Sequence, residues 1–168
     1  MATLGEWWVA PSRPALLTPH PGEFARLRAG AGLDPADDGD LVGDDEARIA
    51  AARDAALRWG QVVVLKGART VVAEPGGTAW INATGNPGMA APGMGDVLAG
   101  VIAAHLARGI APLEAALLGV HLHGLAVETA EAAAESVHRL MRREMGIDRD
   151  IDNADVEACY REIRQLKQ

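Results

Sequence analysis

A glycine-rich stretch at residues 82–100 is the clearest candidate in the chain for a binding or catalytic site. It reads N-A-T-G-N-P-G-M-A-A-P-G-M-G-D-V-L-A-G. Its glycines include Gly93 and Gly95, Asp96 follows directly, and apolar residues at helical spacing come next. A glycine-rich loop that enters a helix presents unpaired backbone N–H groups at the positive end of the helix dipole, which suits a phosphate. Asp96 is a poor phosphate ligand there, but it could act as a general base beside a substrate hydroxyl.

The alternative is a purely structural turn, since aspartate is a common N-cap and glycine-rich turns precede many helices. The stretch contains neither a Walker loop nor a dinucleotide-binding fingerprint. The density of small residues favours close approach of a ligand to the backbone.

Two further candidates, Lys66 and His20, follow predicted strands. The unbroken apolar run in Gln61–Lys66 predicts a central strand of a parallel sheet. A predicted hairpin over residues 70–81 then leads to the glycine-rich stretch, so we expect Lys66 near the phosphate; the alternative is a surface lysine. His20 lies between two prolines after a short predicted strand, where α/β sheets place ligands, or it is a hydrogen-bonded structural residue.

The elements around these residues predict an α/β layered sheet. A helix is expected from Asp44 to Trp59, with Gly60 as its cap and with Ile49, Ala52, Ala56 and Leu57 on its inner face. Another is expected over residues 112–135. His121 and His123 interrupt it at a spacing that does not place both on one helix face, so no metal site is predicted.

Length and composition narrow the class of protein. A chain of 168 residues suits one domain, expected over residues 1–135, with a charged helical tail over 136–168. The net charge of −7 argues against a nucleic-acid or anionic-membrane partner. The single cysteine, the absence of a visible signal peptide and the short apolar runs predict a cytoplasmic protein.

Three motifs together resemble the ADP- or ATP-dependent NAD(P)H-hydrate dehydratase family of the ribokinase-like superfamily. They are L-T-P-H-P-G-E-F-A-R-L, V-V-V-L-K-G-A-R-T and the glycine-rich stretch, and the resemblance covers roughly residues 14–132. It implies a three-layer sandwich with a mainly parallel central sheet. It also implies phosphorylation of the hydroxyl of (6S)-NAD(P)H hydrate by ADP or ATP, followed by loss of phosphate to restore NAD(P)H.

The resemblance also implies residue roles. Asp96 matches the catalytic aspartate at the substrate hydroxyl, and His20 matches a histidine that contacts the substrate. The nucleotide-binding set comprises Lys66, Gly67, Ala68, Arg69, Thr70, Gly93 and Gly95. Mg²⁺ is expected as a cofactor that neutralises phosphoryl charge, although no carboxylate cluster in the sequence specifies it.

The chain departs from the family pattern in two places. The usual G-T-G-D is G-M-G-D here, and the strand–helix units that precede T-P-H-P-G-E in the family are expected to be missing. We therefore expect a homo-oligomer, which could use Trp7, Trp8 and the tail helix to cover exposed apolar surface. The alternatives to an active dehydratase are an inactive fragment that binds only nucleotide and a related kinase that phosphorylates a vitamin.

Overall fold

A computed structural model of the protein describes residues 8–9, 14–33 and 40–144. The described residues fall into two units, one ending at Ala130 and one beginning at Glu131. The elements in chain order are β1 (Leu16–Leu17), α1 (Pro21–Gly30), α2 (Asp40–Gly43), α3 (Asp45–Trp59), β2 (Val62–Leu65), β3 (Val71–Ala73), β4 (Ala79–Ile81), a 3₁₀ turn (Pro87–Met89), α4 (Met94–Ala107) and α5 (Pro112–Glu144).

The four described strands form one mixed sheet in the order β1-β2-β3-β4. Strand β1 pairs with β2 in parallel, with Leu16 opposite Val62. Strands β2, β3 and β4 are antiparallel neighbours, and β3 and β4 are the predicted hairpin. The carboxyl ends of β1, β2 and β4 therefore lie at the same edge of the sheet.

Helices cover both faces of this sheet, which gives three layers. Side chains of β2 and β3 alternate between the faces, so Val63 and Leu65 face one layer and Val64 faces the other. On the first face Phe24 of α1 and the buried side of α3 form one core, and Phe24 meets Trp59 edge-to-face with ring centroids 5.8 Å apart. On the second face the core consists of Val62, Val64, Val72, Leu98, Ile102, Ala115, Ala116 and Val120. The predicted α/β class is confirmed, but the described sheet is mixed rather than mainly parallel, because only β1 and β2 pair in parallel.

Helix α3 shows where local sequence signals succeed and where they fail. Asp44 accepts hydrogen bonds from the backbone N–H groups of Glu46 and Ala47, and Gly60 ends the helix at φ 64°, as predicted. The prediction for Leu57 is wrong, because its side chain is 66% exposed while Trp59 is buried. The core meets the face that carries residues 52, 55, 56 and 59, and Leu57 lies outside that stripe.

The second unit contains the end of α5, which continues to Glu144 beyond the predicted end at residue 135. Its described side chains are mostly exposed, and Arg139 forms an ion pair with Glu135 one turn earlier. The predicted tail helix with Asp152 or Asn153 as N-cap lies outside the described residues. No helix in the described part of the chain is long and apolar enough to cross a membrane.

Candidate functional site

A cavity of about 520 Å³ lies beside the carboxyl ends of β2 and β4. Its wall includes the turn after β2 and the glycine-rich stretch after β4, here called the glycine loop (residues 82–95). The residues that line it are Lys66, Gly67, Ala68, Arg69, Thr70, Asn82, Thr84, Gly85, Asn86, Pro87, Met89, Ala90, Met94, Gly95, Leu98, Val120 and His123. This volume is in the range of small-molecule sites.

The charge of the lining suits an anionic ligand. Lys66 and Arg69 are cationic, and none of the described lining residues is acidic, although the whole chain carries a net charge of −7. Met94 and Gly95 in the first turn of α4 also line the cavity, so the positive end of that helix dipole lies at the cavity. Such a lining is suited to a phosphate-bearing molecule.

Lys66 is held at the border of the glycine loop. Its backbone N–H donates to Pro19 O at 2.9 Å, and its ammonium lies 3.6 Å from the carboxylate of Glu23. A Cβ placed at Gly95 would lie 3.0 Å from Lys66 Nζ, so the ammonium lies directly against that glycine. The predicted proximity of Lys66 to the glycine loop is thus observed.

His20 begins α1 and connects to Lys66 through Glu23. His20 Nδ1 accepts from the Glu23 N–H at 3.3 Å, and Glu23 Oε2 accepts from the His20 N–H at 2.7 Å, which forms a capping box. Burial raises the pKa of Glu23, but the His20 backbone N–H and the charge of Lys66 outweigh that effect and hold the pKa below its usual value. His20 itself is exposed and is not part of the cavity wall.

Gly93 and Asp96 are placed at the start of α4. Gly93 is the N-cap residue, with φ 89° in the left-handed region that favours glycine, and no side-chain hydrogen bond caps this helix. The Asp96 N–H donates to Gly93 O at 3.0 Å, and its side chain is exposed in the first turn. Among the predicted site residues, the structure brings Lys66–Thr70 and Gly95 together around the cavity, while Gly93, Asp96 and His20 lie outside its wall.

The glycine loop is fixed from the other side by α5. Thr84 Oγ1 donates to His121 O at 3.0 Å, and the Gly85 N–H donates to Glu128 Oε1 at 2.7 Å. Gly124 lies directly against the same two loop residues, where a Cβ would be 2.8 Å from Gly85 N. Neither Gly124 nor Glu128 was predicted as a site residue from the sequence. The available signal was their position on a predicted helix that follows the loop.

His123 and Arg48 were also missed. His123 is buried in the cavity wall, and burial lowers its pKa, so the neutral imidazole is favoured. Arg48 is buried on α3, where burial lowers its pKa although neighbouring Asp45 opposes the shift. No sequence signal marks a buried arginine, because arginines are mostly exposed.

The described residues do not contain a group of three or more histidine, cysteine or acidic side chains that could hold a metal ion. A protein-only metal cage is therefore not built by this part of the chain. Mg²⁺ in nucleotide sites usually keeps several waters and needs only one or two carboxylates besides the phosphates. Asp96, an exposed carboxylate in the first turn of α4, fits that smaller requirement.

The chain that carries this site is similar to several known proteins. A family model described as NAD(P)H-hydrate dehydratase matches residues 4–143. The bifunctional NAD(P)H-hydrate repair enzyme of Moorella thermoacetica is 47% identical over 128 residues, which cover 76% of this chain and 22% of that enzyme. The chain therefore spans about a fifth of the length of this relative.

Two solved structures are also similar. The ADP/ATP-dependent NAD(P)H-hydrate dehydratase of Bacillus subtilis, co-crystallised with ATP and Mg²⁺, matches with a TM-score of 0.61 and 40% identity, over 71% of this chain and 40% of that chain. A ribokinase-like superfamily protein of Enterococcus faecalis matches with a TM-score of 0.54 and 29% identity, over 72% of this chain and 39% of that chain. The predicted ribokinase-like fold is confirmed.

Proposed function

We propose, because the chain belongs to the NAD(P)H-hydrate dehydratase family, that it carries out the nucleotide-dependent dehydration of (6S)-NAD(P)H hydrate to NAD(P)H. The observation that carries this proposal is the convergence of Lys66–Thr70 and the glycine loop on one cavity. Both segments are ones that the family resemblance assigns to the nucleotide. The cationic lining and the helix end are suited to its phosphates.

In this proposal ADP or ATP is the phosphoryl donor, and its phosphates contact Lys66, Gly95 and the backbone of residues 67–70. Lys66 is poised for that role because Glu23 already holds its ammonium beside Gly95. Gly93 provides the left-handed entry into α4, and Gly95 in the first turn of that helix lines the cavity. Mg²⁺ would accompany the nucleotide and would neutralise phosphoryl charge, and Asp96 is a carboxylate that could help to hold it.

Asp96 is proposed as the general base. Its carboxylate would accept the proton of the hydrate hydroxyl while that oxygen bonds to the terminal phosphorus of the nucleotide and the bond to the leaving phosphate breaks. The carbon–oxygen bond then breaks as inorganic phosphate leaves. Loss of a proton from the adjacent ring carbon forms the double bond of NAD(P)H. His20, three residues before Glu23, would contact the hydrated cofactor from the edge of the site.

Product analysis tests this proposal against its two alternatives. The purified chain would be incubated with hydrated NADH, Mg²⁺ and either ADP or ATP, and NADH, inorganic phosphate and the shortened nucleotide would be quantified. A dehydratase releases all three in equal amounts. A stable phosphoester would instead favour a kinase, and nucleotide binding without turnover would favour an inactive fragment of the family.

A homo-oligomer is proposed from exposed apolar side chains on α5. Leu118, Leu122 and Leu125 lie on its outward side with 42–43% of their surface accessible. Trp8 packs against the first core, whereas Trp7 and the predicted tail helix lie outside the described residues. Sedimentation at micromolar concentration tests the proposal, and a well-folded monomer would contradict it.

A further inference from the structure

Arg48 packs against the turn formed by residues 66–70 and donates hydrogen bonds to carbonyl groups in and just before it. The side chain is 3% exposed, and its guanidinium donates to Ala68 O, to Arg69 O at 3.3 Å and to Leu65 O at 3.4 Å. The turn is packed closely on it, since a Cβ at Gly67 would lie 2.9 Å from Arg48 Nη2. One buried cation thus binds the last carbonyl of β2 and two carbonyls of the turn.

This arrangement determines which way the backbone donors of the turn point. The described peptide bonds are trans, and in a trans peptide the N–H is directed opposite to the C=O. Because the carbonyls of Ala68 and Arg69 point to Arg48, the N–H groups of Arg69 and Thr70 point away from it. Residues 66–70 line the cavity and Arg48 does not, so the turn separates the guanidinium from the cavity.

The conformation of the turn needs such support. Arg69 has φ 56°, in the left-handed region that a residue with a side chain adopts at a cost in free energy. Asp45 adds a second restraint, since its carboxylate lies 2.8 Å from the Arg69 guanidinium and 3.7 Å from that of Arg48. Without the buried donors, the turn would have no equivalent partner for its inward carbonyls.

We propose that Arg48 is a positioning residue for phosphate binding, which holds the Arg69 and Thr70 amides toward the nucleotide phosphates without touching the nucleotide. The inference rests on the proposed function, because it takes a nucleotide as the occupant of the cavity. It predicts that Arg48 strengthens the binding of the nucleotide's phosphates and does not affect the binding of its adenosine part. Lysine cannot replace it, since a single ammonium lacks the planar fork that reaches three carbonyls.

Titration calorimetry of the full chain with ADP, ATP and adenosine provides the test. Arg48→Lys keeps the charge and removes the fork, while Arg48→Met fills the space without donors and covers the case in which the buried lysine prevents folding. Arg28→Lys and Arg28→Met are matched controls. Arg28 is also buried, and the groups that it bonds, Ala51 O and Asp54, belong to α3 rather than to the turn.

We expect the Arg48 variants to bind ADP and ATP about tenfold more weakly, the effect of misplacing a charge-assisted hydrogen bond to phosphate. The affinity of the Arg48 variants for adenosine should stay within about twofold of the wild type. Arg28 variants whose thermal stability matches that of the Arg48 variants should bind all three ligands within about twofold of the wild type. Equal losses for Arg48 and Arg28 variants, or equal losses for ADP and adenosine, would overturn the positioning role. A wild-type chain that binds neither nucleotide would refute the proposed function, and this inference with it.

Discussion

The contact between Gly124 and the glycine loop yields a sharp prediction for Gly124→Ala. A Cβ at this position would overlap Thr84 Oγ1 and would lie 2.7 Å from the Thr84 carbonyl carbon and 2.8 Å from Gly85 N. Two of these three atoms belong to the backbone, so rotation of a side chain cannot relieve the overlap. Either the loop stays and the site is overpacked, or the loop moves away from α5.

Both responses cost stability. Overpacking typically costs about 1–3 kcal/mol. Displacement would instead weaken the bonds from Thr84 to His121 O and from the Gly85 N–H to Glu128, together worth roughly 2–4 kcal/mol. Alanine recovers about 1 kcal/mol of helix propensity over glycine. We therefore expect a net loss in the free energy of unfolding of about 0–2 kcal/mol if the site is overpacked, or about 1–3 kcal/mol if the loop moves, together with weaker ADP binding.

Gly100→Ala is the matched control for urea unfolding. Gly100 is an exposed residue within α4, and a Cβ there would meet nothing within 4 Å. This variant should gain up to about 1 kcal/mol, because only the helix propensity changes. The reasoning would be refuted if Gly124→Ala were as stable as Gly100→Ala, or if it bound ADP like the wild type.

Two predictions concern pH. Glu23 has a folded-state pKa below its usual 4.5, so its contribution to stability is full above pH 4.5 and is lost as the pH falls through the folded-state value. Glu23→Gln should therefore lose less stability than the wild type when urea unfolding is measured at acidic pH. An equal loss of stability in the two proteins would contradict this. The buried His123 also has a lowered pKa, so stability should fall as the pH drops below 6.5, where the unfolded chain gains a proton more readily. His123→Leu should flatten that slope, and a slope that stays as steep as in the wild type would argue against the buried imidazole.

Local signals predicted most of the elements that carry the site. The cap residues Asp44 and Gly60 define α3 because their hydrogen bonds join neighbours in the chain. The run Val62–Leu65 is buried on both sides of the sheet, which is why its sequence lacks alternation. The two loop segments that line the cavity were predicted as site residues because the family resemblance assigns them to nucleotide binding.

The contacts that hold the loops could not be predicted, because they join distant residues. Arg48 is buried only because the carbonyls of a turn some twenty residues later surround it. Gly85 meets Glu128 across 43 residues, and nothing in either local sequence signals that pair. The roles of all the site residues stay predictions, both for Lys66–Thr70 and Gly95, which line the cavity, and for His20, Gly93 and Asp96, which do not.

The most direct test of the proposed function is recovery of NADH, followed by its near-ultraviolet absorbance, from purified NADH hydrate with Mg²⁺ and ADP or ATP. Asp96→Asn removes the proposed base, and Asp54→Asn is the control, since Asp54 is an exposed carboxylate that pairs with Arg28 away from the cavity. We predict recovery that requires nucleotide, persists in Asp54→Asn and falls by about 10²–10⁴-fold in Asp96→Asn. Absence of recovery with the wild-type chain, or full recovery with Asp96→Asn, would contradict the proposed reaction and its base.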